Sequence, residues 1–106
     1  NDSSTAKKLQ QIGWEVGDYV WELPLFDKYF SSMNSHVADF KNSGDGFAGA
    51  ITGGLFLQKF SHQIPWVHLD VYCWSDKTSG AHQFPGGYAS GVSLLAHYLL
   101  GLAKKI

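Results

Sequence analysis

At 106 residues and a formal net charge of −1, the chain has room for one domain or part of one, and lacks the basic footprint that nucleic acid or an anionic membrane requires. Apolar residues make up 44% and charged residues 16%, which excludes a disordered acidic tail and a coiled coil. The single cysteine, Cys73, excludes an internal disulfide framework and a cysteine-rich zinc site, and fits a reducing, intracellular compartment.

The first predicted helix runs from about Thr5 to Trp21. Leu9, Ile12, Val16, Tyr19 and Val20 recur at steps of three and four, and Asp2, Ser3 or Ser4 supplies an N-cap oxygen. Gly13 and Gly17 lie inside it, each costing about 1 kcal/mol against Ala, which points to close approach of another backbone on their shared face. Pro24 ends the helix, and a short helix follows over about 26–33. A short strand is expected at 36–41, then a Gly- and Asn-rich turn at 42–46. The next helix spans 47–60, with Ala48, Ile51 and Leu55 in period and Gly49, Gly53 and Gly54 narrowing one side. The alternating run Trp66 to Trp74 is the clearest strand, with Val67, Leu69 and Val71 on one face. After a long Gly-rich connection over 75–90, the last helix covers 91–105, with Val92, Leu95, Leu99 and Leu102 on one face.

Strands alternating with helices predict an α/β layered fold with parallel pairing. Two strands are too few for a stable sheet, so the chain reads as a piece of something larger. A start at Asn1 without Met or signal-peptide pattern agrees. Aromatic residues at 15% are more than a small free-standing domain hides easily, which points to a face for other protein; a compact aromatic core is the alternative. No membrane span is expected, because only 92–103 is sustained apolar where about 20 residues are needed.

Three sets of residues invite chemistry. Gly44, Gly46 and Gly49 match G-x-G-x-x-G between a candidate strand and a helix, with Asp70 about twenty residues on, the layout of a dinucleotide fingerprint. The plain alternative is a glycine turn before a tightly packed helix, and Asp45 sets a negative charge inside the loop where a phosphate would lie. His68 and Asp70, two apart on a strand, point one way and make either an acid–base or metal pair or a hydrogen-bonded structural pair. His36 and Asp39 share no clear face, and His62, His82 and His97 show no ligand spacing. Cys73 has no base beside it and reads as a packed thiol.

Four blocks, in order, resemble the C-terminal part of the leucyl aminopeptidases (cytosol aminopeptidases), a family of two-metal exopeptidases. Residues 17–25 (GDYVWELPL) are similar to G-D-x-x-W-x-L-P-L, and residues 35–42 (SHVADFKN) continue the match. Residues 47–57 (FAGAITGGLFL) are similar to A-G-A-I-T-A-A-x-F-L, and residues 65–71 (PWVHLDV) to W-A-H-L-D-I-A-G. After Asp70 the sequence departs: D-I-A-G becomes Asp70-Val71-Tyr72-Cys73-Trp74, and Pro85-Gly86-Gly87-Tyr88 stands where many members read A-T-G-x-G-V-R, as in a divergent branch.

The resemblance implies that residues 1–106 are the C-terminal segment of an α/β, mixed-sheet, helix-flanked aminopeptidase catalytic domain of phosphorylase/hydrolase-like type. It implies a cytoplasmic homo-hexamer that removes N-terminal, leucine-like residues from peptides with two divalent metal ions, Zn²⁺ or Mn²⁺. The family's metal ligands, catalytic lysine and N-T-D-A-E-G-R motif lie upstream of the matched blocks, so this chain is expected to hold no metal and no catalytic residue and to be inactive alone. Its partners are then peptide substrates and the remainder of the catalytic domain, with no nucleic acid or membrane. The resemblance implies that Ala48 and Ile51, three apart on one helix face, line the substrate side-chain pocket. It reads the glycine turn as the lead into a helix that backs the active site; a partial dinucleotide-binding module and a non-catalytic homologue are the alternatives.

Overall fold

The computed structural model describes residues 1–78 and 84–104. The chain divides into two compact units, one of Asn1–Ser3 with Glu22–His68, the other of Ser4–Trp21 with Leu69–Ile106.

In the first unit Phe26 is extended, and a 3₁₀ helix follows over Asp27–Met33, where the short helix is predicted. Helix α2 covers Gly49–Gln58, inside the predicted 47–60. Its start is trimmed because Ala48 takes a left-handed backbone (φ 52°, ψ 36°), while its carbonyl accepts from Ile51 N at 2.9 Å and Thr52 N at 3.0 Å. At the other end Lys59 N and Phe60 N tighten onto the carbonyls of Phe56 and Leu57. Three glycines lower the intrinsic helicity of α2, so packing must hold it. Thr52, Gly54 and Leu55 are buried, and the Thr52 hydroxyl donates back to the Gly49 carbonyl at 3.2 Å. Phe40 meets Phe30, Phe56 and Phe60 edge-on at ring-centroid distances of 5.5, 5.6 and 5.9 Å, and Lys59 lies over the Phe30 ring.

The strand expected at 36–41 does not form. The Ser35 hydroxyl accepts from Val37 N at 3.2 Å and Ala38 N at 3.1 Å, a local turn that competes with a ladder. Lys41 N then closes onto the Met33 carbonyl at 2.7 Å. His62 and Gln63, both at positive φ, make a tight turn in which Ile64 N bonds the Ser61 carbonyl at 2.8 Å. The strand predicted over Trp66 to Trp74 also fails as a ladder. The backbone of Trp66 pairs with Asn1, whose Oδ1 accepts from Trp66 N and whose amino group donates to Trp66 O. A strand exists only by virtue of its neighbour, and residues 67–72 pair with no strand among the described residues, while the Cys73 carbonyl accepts from Tyr88 N at 3.1 Å.

In the second unit, helix α1 ends at Val16 rather than Trp21, running over Ser3–Val16. Gly17 turns left-handed (φ 73°) and Asp18 N bonds back to the Gly13 carbonyl at 2.9 Å, the six-to-one bond of a Schellman stop. Gly13 meets the backbone approach expected of it: a Cβ there would lie 2.6 Å from the Asp18 carbonyl oxygen. Gly17 does not share that reason, having open space around it and a positive φ instead.

Strands β1 (Trp74–Ser75) and β2 (Gly86–Gly87) form an antiparallel pair with Trp74 opposite Gly87 and Ser75 opposite Gly86. β1 takes the last residue of the strand predicted over Trp66 to Trp74 and the first of the predicted Gly-rich connection, and β2 lies within that connection, of which residues 79–83 lie outside the described residues. Helix α3 covers Val92–Ala103 and packs Leu94 fully inside. The stripe Val92, Leu95, Leu99 and Leu102, the apolar face singled out from the sequence, is exposed instead. Lys8 of α1 reaches over the Tyr98 ring of α3 at 5.5 Å. Among the described residues the chain is thus mostly helical with one small antiparallel pair, and no parallel pairing forms among them.

Candidate functional site

The turn before α2 and the first turns of that helix gather most of the sequence-predicted site. Gly44, Gly46 and Gly49 line a hollow of about 290 Å³ together with Asn42 and Phe47. Thr52, Gly53, Phe56 and Met33 complete its walls. Gly46 uses its freedom at φ 86°, while Ala48 adopts a similar left-handed conformation despite its Cβ. Such a residue costs about 1–2 kcal/mol and persists only where neighbours over-determine it; here two amide donors on its carbonyl do so.

Ala48 is therefore the residue that starts α2 rather than a member of it, and it is exposed. Ile51 is half-buried, one turn along. Neither touches the hollow, which faces the other side of α2 along Gly49, Thr52, Gly53 and Phe56.

Further along α2 the glycine pair admits an imidazole. A Cβ on Gly53 would sit 3.5 Å from His68 Cε1, and one on Gly54 3.5 Å from His68 Nδ1 and 3.0 Å from Leu25 Cδ2. His68 thus lies against the helix backbone, and the narrow side predicted for this helix has that physical use. Asp70 belongs to the other unit, so the His68–Asp70 pair is split between the two. The dinucleotide fingerprint loses its first element, because the segment before Gly44 is a series of bends and not a strand.

The remaining histidines stand apart. His36 and Asp39 are exposed on the bends, and His62 is exposed in the turn. His97 faces its own helix, Nδ1 lying 2.8 Å from the Ser93 carbonyl, and His82 lies outside the described residues. Cys73 is exposed, not packed, with Sγ 3.7 Å from the Ser90 carbonyl. Among the described residues no three His, Cys, Asp or Glu side chains come together in a way that could hold a metal ion.

Periodicity gave no sign of Asp18. Its carboxylate accepts from Gly91 N at 2.9 Å through Oδ1 and from Leu94 N at 3.1 Å through Oδ2. It caps α3 from the far end of the sequence, because Gly91 has no side chain to do so. The only signal was a Gly-Asp pair after one helix and an uncapped start to another.

The sequence of the cytosol aminopeptidase family, catalytic domain, matches residues 1–96. The chain is 41% identical over 101 residues to a probable cytosol aminopeptidase of Trichormus variabilis, covering 93% of this chain and 20% of that protein. It is 44% identical over 103 residues to one of Syntrophobacter fumaroxidans, covering 94% and 20%. Its fold superposes on the crystal structure of cytosol aminopeptidase from Coxiella burnetii with a TM-score of 0.79 at 40% identity, covering 94% of this chain and 22% of that one. A mutant of tomato leucine aminopeptidase gives 0.78 at 35% identity, covering 94% and 19%. The chain belongs to the cytosol aminopeptidase family. It spans about one fifth of the length of the curated relatives it matches.

Proposed function

We propose that residues 1–106 serve as the C-terminal segment of one catalytic domain, in a cytoplasmic metalloaminopeptidase that releases N-terminal, leucine-like residues from peptides. The observation that carries this reading is the match of residues 1–96 to the family's catalytic domain. It agrees with a fold shared with a cytosol and a leucine aminopeptidase. The segment supplies scaffold and pocket wall. Ala48 and Ile51 line the pocket for the substrate side chain, and their position follows from the left-handed start of α2. His68 against Gly53 and Gly54 fixes the register of that helix over residues 66–68. Residues 67–72, without a ladder among the described residues, pair with strands of the remaining domain.

The described residues do not fit a metal centre. On this reading the two divalent ions, Zn²⁺ or Mn²⁺, and the catalytic groups come from the rest of the domain, as the resemblance implies, and this chain alone is proposed to be inactive. The assembled enzyme is a homo-hexamer acting on peptides, with no role for nucleic acid or membrane. No helix among the described residues is long and apolar enough to cross a membrane. The dinucleotide reading lacks its strand and is set aside.

The test is release of leucine from leucine amide by the longer polypeptide that contains this chain. Activity that is lost on chelation and restored by Mn²⁺ is expected. No release with any divalent metal would mark a non-catalytic homologue.

A further inference from the structure

The turn that leads into α2 holds a pair of neighbouring groups that can react with each other. Of the seven aspartates in the sequence, only Asp45 is followed by glycine. Asp45 and Gly46 are both exposed, and a Cβ built on Gly46 would meet nothing within 4 Å. Gly46 stands at φ 86°, a conformation that glycine alone enters freely. Among the described residues the Gly46 N–H donates no hydrogen bond and the Asp45 carboxylate accepts none. An amide nitrogen and the side-chain carboxyl one residue before it are thus both left to solvent. Asp18 is the contrast. Its carboxylate is held by Gly91 N and Leu94 N, and the bulky Tyr19 follows it.

We infer that Asp45 is a site of spontaneous isomerisation to β-linked aspartate, through a succinimide closed onto the Gly46 nitrogen. In the first step that nitrogen attacks Cγ of the protonated Asp45 carboxyl. An N–Cγ bond forms, a Cγ–O bond breaks, and the amide proton leaves with the hydroxyl as water. Water then adds to one of the two ring carbonyls. Addition at Cγ breaks the new bond and restores aspartate. Addition at the Asp45 main-chain carbonyl breaks its bond to Gly46 N, so the backbone runs through Cβ and Cγ and the α-carboxylate is freed. One water is lost and one is gained, so no co-reactant is needed and the mass is unchanged. Glycine favours closure because it sets no Cβ beside the attacking nitrogen. The product lengthens the backbone by one carbon in the turn whose Gly44 and Gly46 line the hollow, three residues before the left-handed Ala48. Its free α-carboxylate is the group esterified by carboxyl methyltransferases that use S-adenosylmethionine and recognise β-linked aspartate. The inference stands on this turn alone and does not depend on the aminopeptidase reading.

The test incubates the longer polypeptide that contains this chain for weeks at physiological temperature and neutral pH. After digestion, the peptides spanning Asp45 and Asp18 are followed by chromatography and electron-transfer fragmentation, which marks a β-linkage at unchanged mass. The expected result is accumulation at position 45 about tenfold or more faster than at position 18, as the missing Cβ and the unheld carboxylate dictate. Labelled methyl groups should enter the same Asp45 peptide when an isoaspartyl methyltransferase and S-adenosylmethionine are added. Asp45→Glu keeps the charge but would need a six-membered ring to close, and both signals should disappear from its peptide. A rate at 45 no greater than at 18 would overturn the inference. So would a β-linkage that appears at 45 only when the protein is incubated in urea, because the folded turn would then withhold one of the two groups.

Discussion

Gly13 and Gly17 stand four residues apart, one inside α1 and one just past its end, for unrelated reasons. Gly17 carries a positive φ that stops α1, and Gly13 leaves room for the Asp18 carbonyl that the stop brings back. Propensity alone says that Gly13→Ala should stabilise α1 by about 1 kcal/mol. The new Cβ, 2.6 Å from a backbone oxygen that cannot swing away, reverses the sign. Gly13→Ala should therefore lower the free energy of local opening by about 1–3 kcal/mol, as overpacking does. Amide exchange at Asp18, whose N–H closes onto Gly13, reads this directly. Slower exchange in the variant would show that helix propensity governs the site. Asp18 itself has two acceptors on the first turn of α3. Asp18→Ala removes both and should cost about 1–2 kcal/mol, with faster exchange at Gly91 and Leu94. Asp18→Asn keeps one acceptor and should fall between.

At the level of elements, what could be read from the sequence followed from how far each signal reaches. Helices were legible, because α2 and α3 declare themselves within a dozen residues through spacing alone. Their ends were less so. α1 stops at Gly17 because a glycine free to turn left-handed outweighs the apolar period of Tyr19 and Val20 beyond it. Strands were misread for a different reason. The run Trp66 to Trp74 has the alternation of a strand, but alternation describes faces and not neighbours, and among the described residues its backbone meets Asn1 at Trp66 and the segment 86–88 at Cys73 and Trp74. At 36–41 the hydroxyl of Ser35 decided the matter by bonding two amides locally. The apolar stripe of α3 was legible, but its exposure was not, since a helix with two apolar faces does not say in sequence which one its own chain covers.

Across the whole chain, the family was the most legible property and the site the least. Four ordered blocks carry the resemblance, and two of their residues have packing duties: Gly54, which stands where A-G-A-I-T-A-A-x-F-L has Ala, lies beneath His68 and Leu25, and Asp18 lies beneath the start of α3. The turn around Gly44 and Gly46 was read as a loop and is one, yet the hollow it borders with Asn42, Phe47 and Thr52 arises from tertiary placement that no spacing encodes. The left-handed start at Ala48 was equally hidden, because the sequence offers an alanine where that backbone favours glycine. Many large apolar side chains remain outward, among them Trp14, Tyr19 and Trp21, which touch one another and little else that would hide them. Of the two readings of the aromatic content, a face for other protein accounts for these three better than a closed core does.

The claim that this segment walls the substrate pocket of an aminopeptidase is tested most directly by the selectivity of one variant. Ala48→Leu in the longer polypeptide puts a larger side chain where a leucine-sized substrate group is proposed to lie. The left-handed backbone at position 48 strains both residues alike and acts equally on every substrate. Only the ratio of kcat/KM for leucine amide to that for alanine amide isolates the pocket. The account predicts that this ratio falls by about tenfold or more, the scale set by a methylene or two in an apolar pocket. A ratio unchanged from that of the unsubstituted enzyme, whatever the absolute rates, would contradict it.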